Sequence, residues 1–283
     1  MIGVFHMGDN VSLNFSKSCV VYIPCYNCAK TILRIIGEIP REIYSKIDVV
    51  VVDNHSSDGT LSVLLTEIEK GQYPFNVHVI EPEKNVGYSG SQKLMYQIAI
   101  NSHVKKVIML HGDGQYPSEM IKQFIPYLES DYGIVNGYRS KKAFPEKEET
   151  PMMTYCIIKL LSAMESVFLG INQKEWHSGL VMYDVDFLRK IPLQELSPYM
   201  HIDGEFLMCA HLLKEKTLGV PIYKRYKEFP EFGGWGRVKH ILHVFKLIGR
   251  YWSGYYRKLI NSQQKPNVTT QYTIKGQQYV QDK

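Results

Sequence analysis

The sequence predicts an α/β fold with a mostly parallel central sheet flanked by helices. Two observations lead to this prediction. Short, nearly continuous apolar runs alternate with helical patterns through the first half of the chain, and clusters of polar residues directly follow several of those runs. Continuous apolar runs indicate strands that are buried on both faces, as in parallel sheets covered by helices. Ligands of such sheets bind beyond the carboxyl ends of the strands.

The strands are predicted from runs of apolar, mostly β-branched residues. The first run, 19–23, ends at Pro24, and the second, 48–52, contains four successive valines and ends at Asp53. Similar short runs predict the remaining strands of the first half, at 76–80, 107–110 and 134–137.

The helices between these strands are predicted from apolar residues spaced three and four positions apart. In 58–70 the apolar stripe follows Ser-Asp-Gly-Thr at 57–60, where Asp58 is a typical helix-capping residue. The other helices are predicted at 29–39, 89–102 and 117–130. The last twenty or so residues are polar, and we expect them to form a frayed tail.

Composition limits the class of protein. The apolar fraction of 45% and the charged fraction of 22% are those of a globular domain. Five cysteines at irregular spacing predict a reduced, intracellular protein rather than a disulfide scaffold. No uncharged apolar run of about 18 residues is present, so we expect no transmembrane helix. The N-terminus lacks the pattern of a secretory signal, and the sequence therefore predicts a cytoplasmic location.

The charge is unevenly distributed. The chain carries a net charge of +5, but residues 221–283 contain 12 Lys or Arg against 3 Asp or Glu. The last part is therefore strongly basic while the body is slightly acidic, which indicates contact with a membrane surface or with nucleic acid. No nucleic-acid motif is recognisable, so we expect no nucleic-acid partner.

Polar residues at two strand ends can carry chemistry. Asp53 can accept hydrogen bonds from a nucleoside base or ribose; a turn or capping role is the alternative. The segment His-Gly-Asp-Gly-Gln at 111–115 follows the strand at 107–110. Alternate positions of an extended segment point to one side, so an imidazole, a carboxylate and an amide would lie together. Such a set can hold a divalent cation that binds diphosphate oxygens, although a simple strand-to-helix turn would also explain the glycines.

Five segments have the order and spacing of a known family. They are IPCYN at 23–27, VVDNHSSDGT at 51–60, NVGYSG at 85–90, LHGDGQYP at 110–117 and VNGYR at 135–139. With these segments the chain resembles the family-2 glycosyltransferases of the GT-A fold, specifically the branch that contains polyprenyl-phosphate (dolichyl-phosphate) sugar synthases. The resemblance covers roughly residues 18–250. It implies an N-terminal extension at 1–17, a GT-A domain at 18–235, a basic amphipathic helical segment at 236–260 and a polar tail at 261–283.

The resemblance implies a donor site for a nucleotide-diphosphate sugar. A divalent cation, Mn²⁺ or Mg²⁺, would be held by His111, Asp113 and Gln115. His111 stands where the family motif usually has an aspartate, and imidazole favours Mn²⁺ over Mg²⁺. The residues that would contact the nucleotide or the donor sugar are Pro24, Tyr26, Asn27, Asp53, Gly87, His111, Asp113, Ser178 and Gly179.

The resemblance also implies catalytic and acceptor-binding residues. Cys209 departs from the pattern, because the branch usually has an arginine there. Asp203 and Glu205 match an acidic segment, but acids at a helix start are equally typical of caps. The catalytic residues would be Asp113, Arg139, Asp203 and Glu205, and the acceptor would be bound by Arg139, Glu205 and Arg225.

The activity implied is inverting transfer of a hexose from a UDP- or GDP-sugar to a polyprenyl phosphate. Such a phosphate is already anionic and needs cations rather than a general base. One alternative is transfer to a hydroxyl of a lipid-linked glycan or surface polysaccharide, which requires a carboxylate base. A second alternative is a catalytically silent protein that binds nucleotide sugars.

The C-terminal segment bears on the acceptor. In 237–258, one helical stripe contains Ile241, Phe245, Ile248 and Trp252, and basic residues lie nearly opposite. This pattern fits a helix at an anionic membrane interface, and it fits equally a helix that docks on the protein body. The resemblance favours peripheral attachment to the cytoplasmic face of a membrane.

Overall fold

The computed structural model describes residues 13–226, 234–262 and 272–278. These residues form one eight-stranded sheet with the order β7-β5-β6-β4-β1-β2-β3-β8. The strands are β1 (Cys19–Cys25), β2 (Ile47–Asp53), β3 (Val77–Pro82), β4 (Lys106–Met109), β5 (Ile134–Arg139), β6 (Val181–Asp184), β7 (Thr217–Ile222) and β8 (Tyr272–Gln278).

The parallel part of the sheet confirms the sequence prediction. β1 pairs in parallel with β2 and with β4, and β2 pairs in parallel with β3. Every residue of β2 is buried, as expected of a run covered on both faces. The carboxyl ends of β1, β2 and β4 therefore lie side by side at one edge of the sheet.

Two strands run against this direction. β6 is antiparallel to both β4 and β5, and β8 is antiparallel to β3. The expectation of a frayed polar tail is wrong for 272–278, because this segment pairs with β3 along its length. Its polar composition is typical of an edge strand, whose pairing uses backbone groups rather than apolar side chains.

The helices lie on both sides of the sheet. They are α1 (Ile32–Gly37), α2 (Thr60–Glu69), α3 (Gly87–Ile100), α4 (Met152–Leu169), α5 (Val185–Lys190), α6 (Ile202–Leu212), α7 (Gly234–Trp252) and α8 (Tyr255–Asn261). The predicted helix at 117–130 is wrong. The chain forms short 3₁₀ helices at Ser118–Gln123 and Ile125–Tyr127, because Pro126 lacks an N–H group and disfavours the helical conformation of the residue before it.

Alternate residues of the strands feed two hydrophobic cores. Val20 and Tyr22 pack in a core with α3, α5, α6, α7 and α8. Val21 and Ile23 pack in a second core with α1 and α2 on the other face. Part of the predicted N-terminal extension belongs to the body, since Leu13 and Phe15 are buried in the first core.

The predicted C-terminal amphipathic helix is two helices, α7 and α8, which separate at Gly254 with a left-handed φ of +74°. The face of α7 buried in the core contains Val244, Leu247 and Ile248. The predicted apolar stripe is therefore divided: Ile248 is buried, whereas Phe245 and Trp252 are exposed.

Helix α4 was not anticipated. Among the described residues it is the helix long and apolar enough to span a membrane by length and composition, with a mean hydropathy of 1.5 and 17% of its residues buried. It contains Lys159 and Glu165, so it escapes a search for uncharged runs. Its exposed face is apolar and includes Met153, Leu160 and Val167.

Candidate functional site

The loops after β1, β2 and β4 meet in one cleft. Backbone hydrogen bonds join them, from Asn54 N–H to the Cys25 carbonyl and from Gly112 N–H to the Pro24 carbonyl, at 2.8 and 3.1 Å. A Cβ at position 112 would lie 2.9 Å from the Pro24 oxygen and 3.0 Å from the Cys25 sulfur. Glycine at 112 therefore allows the β4 loop to lie against the β1 loop.

Asp53, at the end of β2, is buried and has one uncommitted oxygen. Its Oδ1 accepts a hydrogen bond from the Ser56 hydroxyl, whereas Oδ2 is buried without a hydrogen-bond partner among the described residues. Burial raises the pKa of Asp53, although the Ser56 hydroxyl opposes the shift. A buried acceptor without a partner is costly. This oxygen therefore keeps unused acceptor capacity at the end of β2.

The other predicted nucleotide contacts line the same loops. Tyr26, two residues after Pro24, is 54% exposed, so its ring is accessible to a ligand. Asn27 adopts a left-handed φ of +54°, and its Oδ1 accepts from the N–H of Ser57 at 2.9 Å. The N-cap position of α2 is held by Gly59 rather than by Asp58. Asp58 lies one residue earlier and accepts from the N–H of Thr60 at 3.1 Å, as a turn residue does.

Gly87 begins α3 with a left-handed φ of +71°. A pair of asparagine side chains holds this helix end beside the β2 loop. Asn54 donates from Nδ2 to Oδ1 of Asn85 at 3.0 Å and accepts from the N–H of Val86 at 2.9 Å. Asn85 Oδ1 also accepts from the N–H of Gly87 at 2.9 Å.

His111 and Asp113 lie near each other, but in a turn rather than in the extended segment that the sequence prediction assumed. His111 Nδ1 lies 4.0 Å from Asp113 Oδ2, and the Asp113 side chain is 43% exposed. Burial lowers the pKa of His111 to about 4, with a further contribution from Lys224, while Asp113 opposes the shift. At neutral pH the imidazole is therefore uncharged and able to bind a cation. Gln115 lies in the same loop, where its N–H donates to Oδ1 of Asp113 at 2.9 Å.

Tyr88 connects His111 to Asp203, and sequence analysis gave it no role. Its hydroxyl donates to Oδ2 of Asp203 at 3.1 Å and lies 3.2 Å from Nε2 of His111. Because a tyrosine hydroxyl has one proton, its oxygen accepts from Nε2–H of His111. Nδ1 of His111 is then the unprotonated nitrogen, and it is the one that faces Asp113. Metal-binding histidines likewise donate their second ring N–H to a hydrogen-bond acceptor.

Asp203 lies at the start of α6, at the floor of this site. Tyr183 donates to its Oδ1 at 2.8 Å, and Gln92 donates to Oδ2 at 3.4 Å. Burial raises the pKa of Asp203 to about 6, although its hydrogen bonds from Tyr183, Tyr88 and Gln92 oppose the shift. The carboxylate is thus poised near neutral pH but is 7% exposed.

Gly179, which was predicted with Ser178 to contact the donor sugar, lies against His111. The Tyr116 hydroxyl accepts from the N–H of Gly179 at 2.8 Å. A Cβ at position 179 would lie 2.2 Å from Nε2 of His111. A larger residue at 179 would therefore displace the imidazole.

The two predicted arginines are engaged elsewhere. Arg139 is 3% exposed; its Nε lies 2.8 Å from Glu175 Oε1, and Nη2 donates to the carbonyl of His177 at 2.8 Å. Arg225 pairs with Glu38 at 3.0 Å. These contacts give Arg139 a positioning role for the 177–179 segment and leave Arg225 neutralised by a partner outside the cleft loops.

Glu205 is not brought to the cleft. Its carboxylate is fully buried and accepts from the Ser197 N–H at 2.8 Å and from the Tyr256 hydroxyl at 2.7 Å. These bonds join α6 to α8 and to the preceding loop. Of the two acids in this segment, the structure places Asp203 at the site and gives Glu205 structural contacts.

Lys224 is a cation that sequence analysis missed. It is 7% exposed, and its Nζ lies 4.3 Å from the ring centre of Tyr116. No carboxylate oxygen lies within ion-pair distance of Nζ in the parts of the chain that the structure describes. Burial and Arg139 lower the pKa of Lys224 to about 7, while Asp113 opposes the shift. Little in the sequence indicated a role for Lys224, because it directly precedes Arg225, the residue that matched the family pattern.

Comparison with solved structures supports the fold. The structure of glucosyl-3-phosphoglycerate synthase from Mycobacterium tuberculosis in complex with UDP superimposes with a TM-score of 0.57 at 16% identity, covering 83% of this chain and 81% of that one. A mannosyltransferase from Pyrobaculum calidifontis in complex with GDP-Man and Mn²⁺ gives a TM-score of 0.56 at 16% identity, covering 82% and 64%. No curated protein matches the sequence.

These likenesses show the GT-A fold that the sequence predicts. The family description "Glycosyl transferase family 2" matches residues 20–191, more than half of the 283-residue chain. That span includes the three loops of the cleft as well as Ser178 and Gly179. The chain belongs to glycosyl transferase family 2.

Proposed function

We propose that this protein is an inverting glycosyltransferase that moves a hexose from a UDP- or GDP-sugar to a polyprenyl phosphate. The observation that carries the donor half is the hydrogen-bonded chain from Asp203 through Tyr88 to His111, which directs an unprotonated nitrogen toward Asp113. A donor diphosphate and its cation would fit this cleft. The proposal retains the acceptor class that the sequence resemblance implied.

His111, Asp113 and Gln115 would hold the divalent cation. Their imidazole, carboxylate and amide suit Mn²⁺, with Mg²⁺ as the harder alternative. When bound, the cation supplies Lewis-acid neutralisation of the departing diphosphate. Two solved neighbours support this assignment, because their structures contain Mn²⁺ together with UDP or GDP-Man.

The chain's own residues would orient the donor. The free Oδ2 of Asp53 would accept from the base or ribose, and Tyr26 would cover the nucleoside. Lys224 would lie toward the diphosphate, since a buried ammonium without an ion-pair partner gains from an anionic ligand. Ser178 and Gly179 would contact the sugar beside His111.

The acceptor half of the proposal draws support from α4. Its outward face is apolar, whereas its inward face contains Ser162 and Glu165, both buried. An exposed apolar helix face of this length is typical of a site that contacts membrane or protein. A lipid phosphate held at such a surface would bring an anionic nucleophile that needs no general base.

The same surface supports peripheral attachment to a cytoplasmic membrane face. Trp252 of α7 joins α4, donating from Nε1 to the carbonyl of Phe168 at 2.9 Å, with the two rings 5.9 Å apart. Residues 234–262 contain six Lys or Arg and no acidic residue. Apolar side chains flanked by basic ones fit an anionic lipid surface.

A hydroxyl acceptor is the second candidate, favoured by the position of Asp203. The Asp203 carboxylate is connected to His111 through the Tyr88 hydroxyl, by two hydrogen bonds. The pKa of Asp203, about 6, suits a general base. One neighbour, glucosyl-3-phosphoglycerate synthase, is in complex with phosphoglyceric acid, a small acid rather than a lipid. In this alternative, Asp203 would remove the proton of a glycan hydroxyl.

The test is nucleoside diphosphate release by purified protein with Mn²⁺, measured with UDP- and GDP-hexoses, with and without a short polyprenyl phosphate. We expect release that the lipid phosphate stimulates. Asp113→Ala should lower the rate about 100-fold or more, because a metal contributes several kcal/mol to such a transition state. Asp186→Ala, which removes an exposed carboxylate on α5, is the matched control and should keep the rate.

Each other outcome has a defined meaning. Release without lipid stimulation, lost in Asp203→Asn, would replace the lipid phosphate by a hydroxyl acceptor. No release with any donor, although UDP or GDP still binds, would show a silent nucleotide-sugar-binding protein. Full activity of Asp113→Ala would overturn the donor site itself.

A further inference from the structure

Three histidines from separate parts of the chain meet beneath the donor-facing segment. His177 precedes Ser178, His201 precedes the first turn of α6, and His240 lies on α7. One ring nitrogen of each lies within 4.8 Å of the others. The ring centres are 4.7 to 5.4 Å apart. This cluster plays no part in the proposed transfer reaction.

Glu165 of α4 faces two of these rings. Its oxygens lie 2.7 Å from Nε2 of His201 and 2.8 Å from Nε2 of His177. The Glu165 side chain is fully buried. The contact with His201 is a hydrogen bond, which fixes the proton of that ring on Nε2 and leaves its Nδ1 with a free lone pair. Outer carboxylates of this kind are typical of histidine metal sites.

Two of the ring nitrogens have the spacing of metal ligands. His177 Nδ1 lies 3.2 Å from His240 Nε2. Zinc–nitrogen bonds of about 2.0–2.1 Å at tetrahedral angles place two ligand nitrogens about 3.3 Å apart. The separation of these two nitrogens would therefore change little on binding, whereas the His201 ring, whose ligand atom lies within 4.8 Å of the other two, would move inward.

We propose that His177, His201 and His240 bind one Zn²⁺ ion, with Glu165 orienting the ligands from outside and water as the fourth ligand. Three imidazoles and a water form a common tetrahedral zinc set, and imidazole selects Zn²⁺ over Mg²⁺ or Ca²⁺. The site is separate from the donor cation site and does not depend on the proposed function.

Such an ion would connect three segments that are distant in sequence. It would fix α7 to the protein body through His240 and would hold His177, whose carbonyl accepts from Arg139, next to Ser178. It would also anchor the start of α6, two residues before Asp203. The structural consequence is that docking of the basic helix and the shape of the site floor depend on one metal.

The test uses full-length, tag-free protein and measures zinc by mass spectrometry after extensive dialysis. We expect about one equivalent of zinc in the wild type and a loss of at least tenfold in His240→Ala. His243→Ala, one turn along the same helix and outside the trio, is the matched control and should retain the zinc. Glu165→Gln, which keeps the ligands but alters their orientation, should weaken zinc affinity about 10–100-fold.

The visible spectrum of cobalt bound to the wild-type protein gives an independent readout, which holds even where a variant folds poorly. Wild-type protein stripped of metal and loaded with Co²⁺ should show the intense visible bands of tetrahedral cobalt, and zinc should abolish them. Asp113→Ala should keep these bands. The proposal is overturned if the wild type binds no zinc and shows only octahedral cobalt, if His240→Ala retains full zinc, or if Asp113→Ala loses the ion and so assigns it to the donor site.

Discussion

The donor loops and the second half of the chain both contain charged residues, but most of those in the second half are engaged with partners inside the protein. Among the described residues, Oδ2 of Asp53 has no hydrogen-bond partner, and Asp113 is nearly half exposed. In the second half, Arg139 is paired with Glu175 and Glu205 accepts two hydrogen bonds. A charged side chain is available to a ligand only where the fold has not already satisfied it. Residue type and sequence position do not reveal this difference.

Within the second half, Lys224 and Asp203 are intermediate cases. Lys224 has aromatic neighbours but no ion pair among the described residues, and Asp203 is bonded by neutral groups and has a raised pKa. Four experiments test the contrast between satisfied and available charges, taken from the largest expected effect to the smallest.

Glu175→Gln tests whether Arg139 is satisfied internally. The change would leave a buried guanidinium without its carboxylate, and we expect the free energy of unfolding to fall by about 3–5 kcal/mol. Glu38→Gln removes the partner of the more exposed Arg225 and should cost no more than about 1 kcal/mol. Urea unfolding of the three proteins measures both differences. Equal losses would contradict the distinction between these two pairs.

Asp203→Asn tests the raised pKa. The pKa of Asp203 rises from 3.8 to about 6 on folding. The contribution of this group to stability is therefore present below about pH 4 and is lost as the pH rises through 6. Asparagine does not titrate, so the variant does not lose stability in this way. We expect its stability relative to the wild type to increase by up to about 3 kcal/mol between pH 4 and pH 7. The measurement is urea unfolding at both pH values, with Asp186→Asn as an exposed control; a constant difference would show an ordinary pKa.

Lys224→Met tests whether this cation is available to a diphosphate. Loss of a charge-assisted contact should weaken UDP or GDP binding in the presence of Mn²⁺ about 10–100-fold. Because the pKa of Lys224 is about 7, wild-type affinity should fall as the pH rises from 6 to 8.5, whereas that of the variant should change less. Calorimetry measures both effects. Lys174→Met removes an exposed lysine that also lies over a tyrosine ring, and it should bind nucleotide normally.

Lys246→Ala tests the basic side of α7 as a membrane contact. A basic residue near an anionic surface contributes about 1 kcal/mol, so partition to vesicles rich in anionic phospholipid should fall about fivefold in a sedimentation assay. Lys70→Ala, an exposed lysine after α2, is the control for net charge. Leu160→Glu, on the apolar face of α4, should also reduce binding. Equal binding by all variants would remove this surface from the proposal.

The failures of sequence prediction have common physical causes. A continuous helix was wrongly predicted at 117–130 because the apolar spacing was given more weight than Pro126. β8 was missed because its pairing uses backbone hydrogen bonds with β3, which leave no apolar signal. Helix α4 was missed because Lys159 and Glu165 interrupt its apolar sequence. In the structure both side chains are paired internally, with Glu175 and with the histidines, so the outward face of the helix is apolar.

The sequence by itself determined the parallel core, the strand-end loops and the family. Local patterns suffice there, because buried strands must be apolar and the polar residues that follow them meet at one edge of the sheet. Only the tertiary structure decided which charges face the cleft. It paired Arg139 with Glu175, connected Tyr88 to His111 and Asp203, and assembled His177, His201 and His240 from three distant segments. These choices depend on side chains that meet across long sequence separations, which no local pattern encodes.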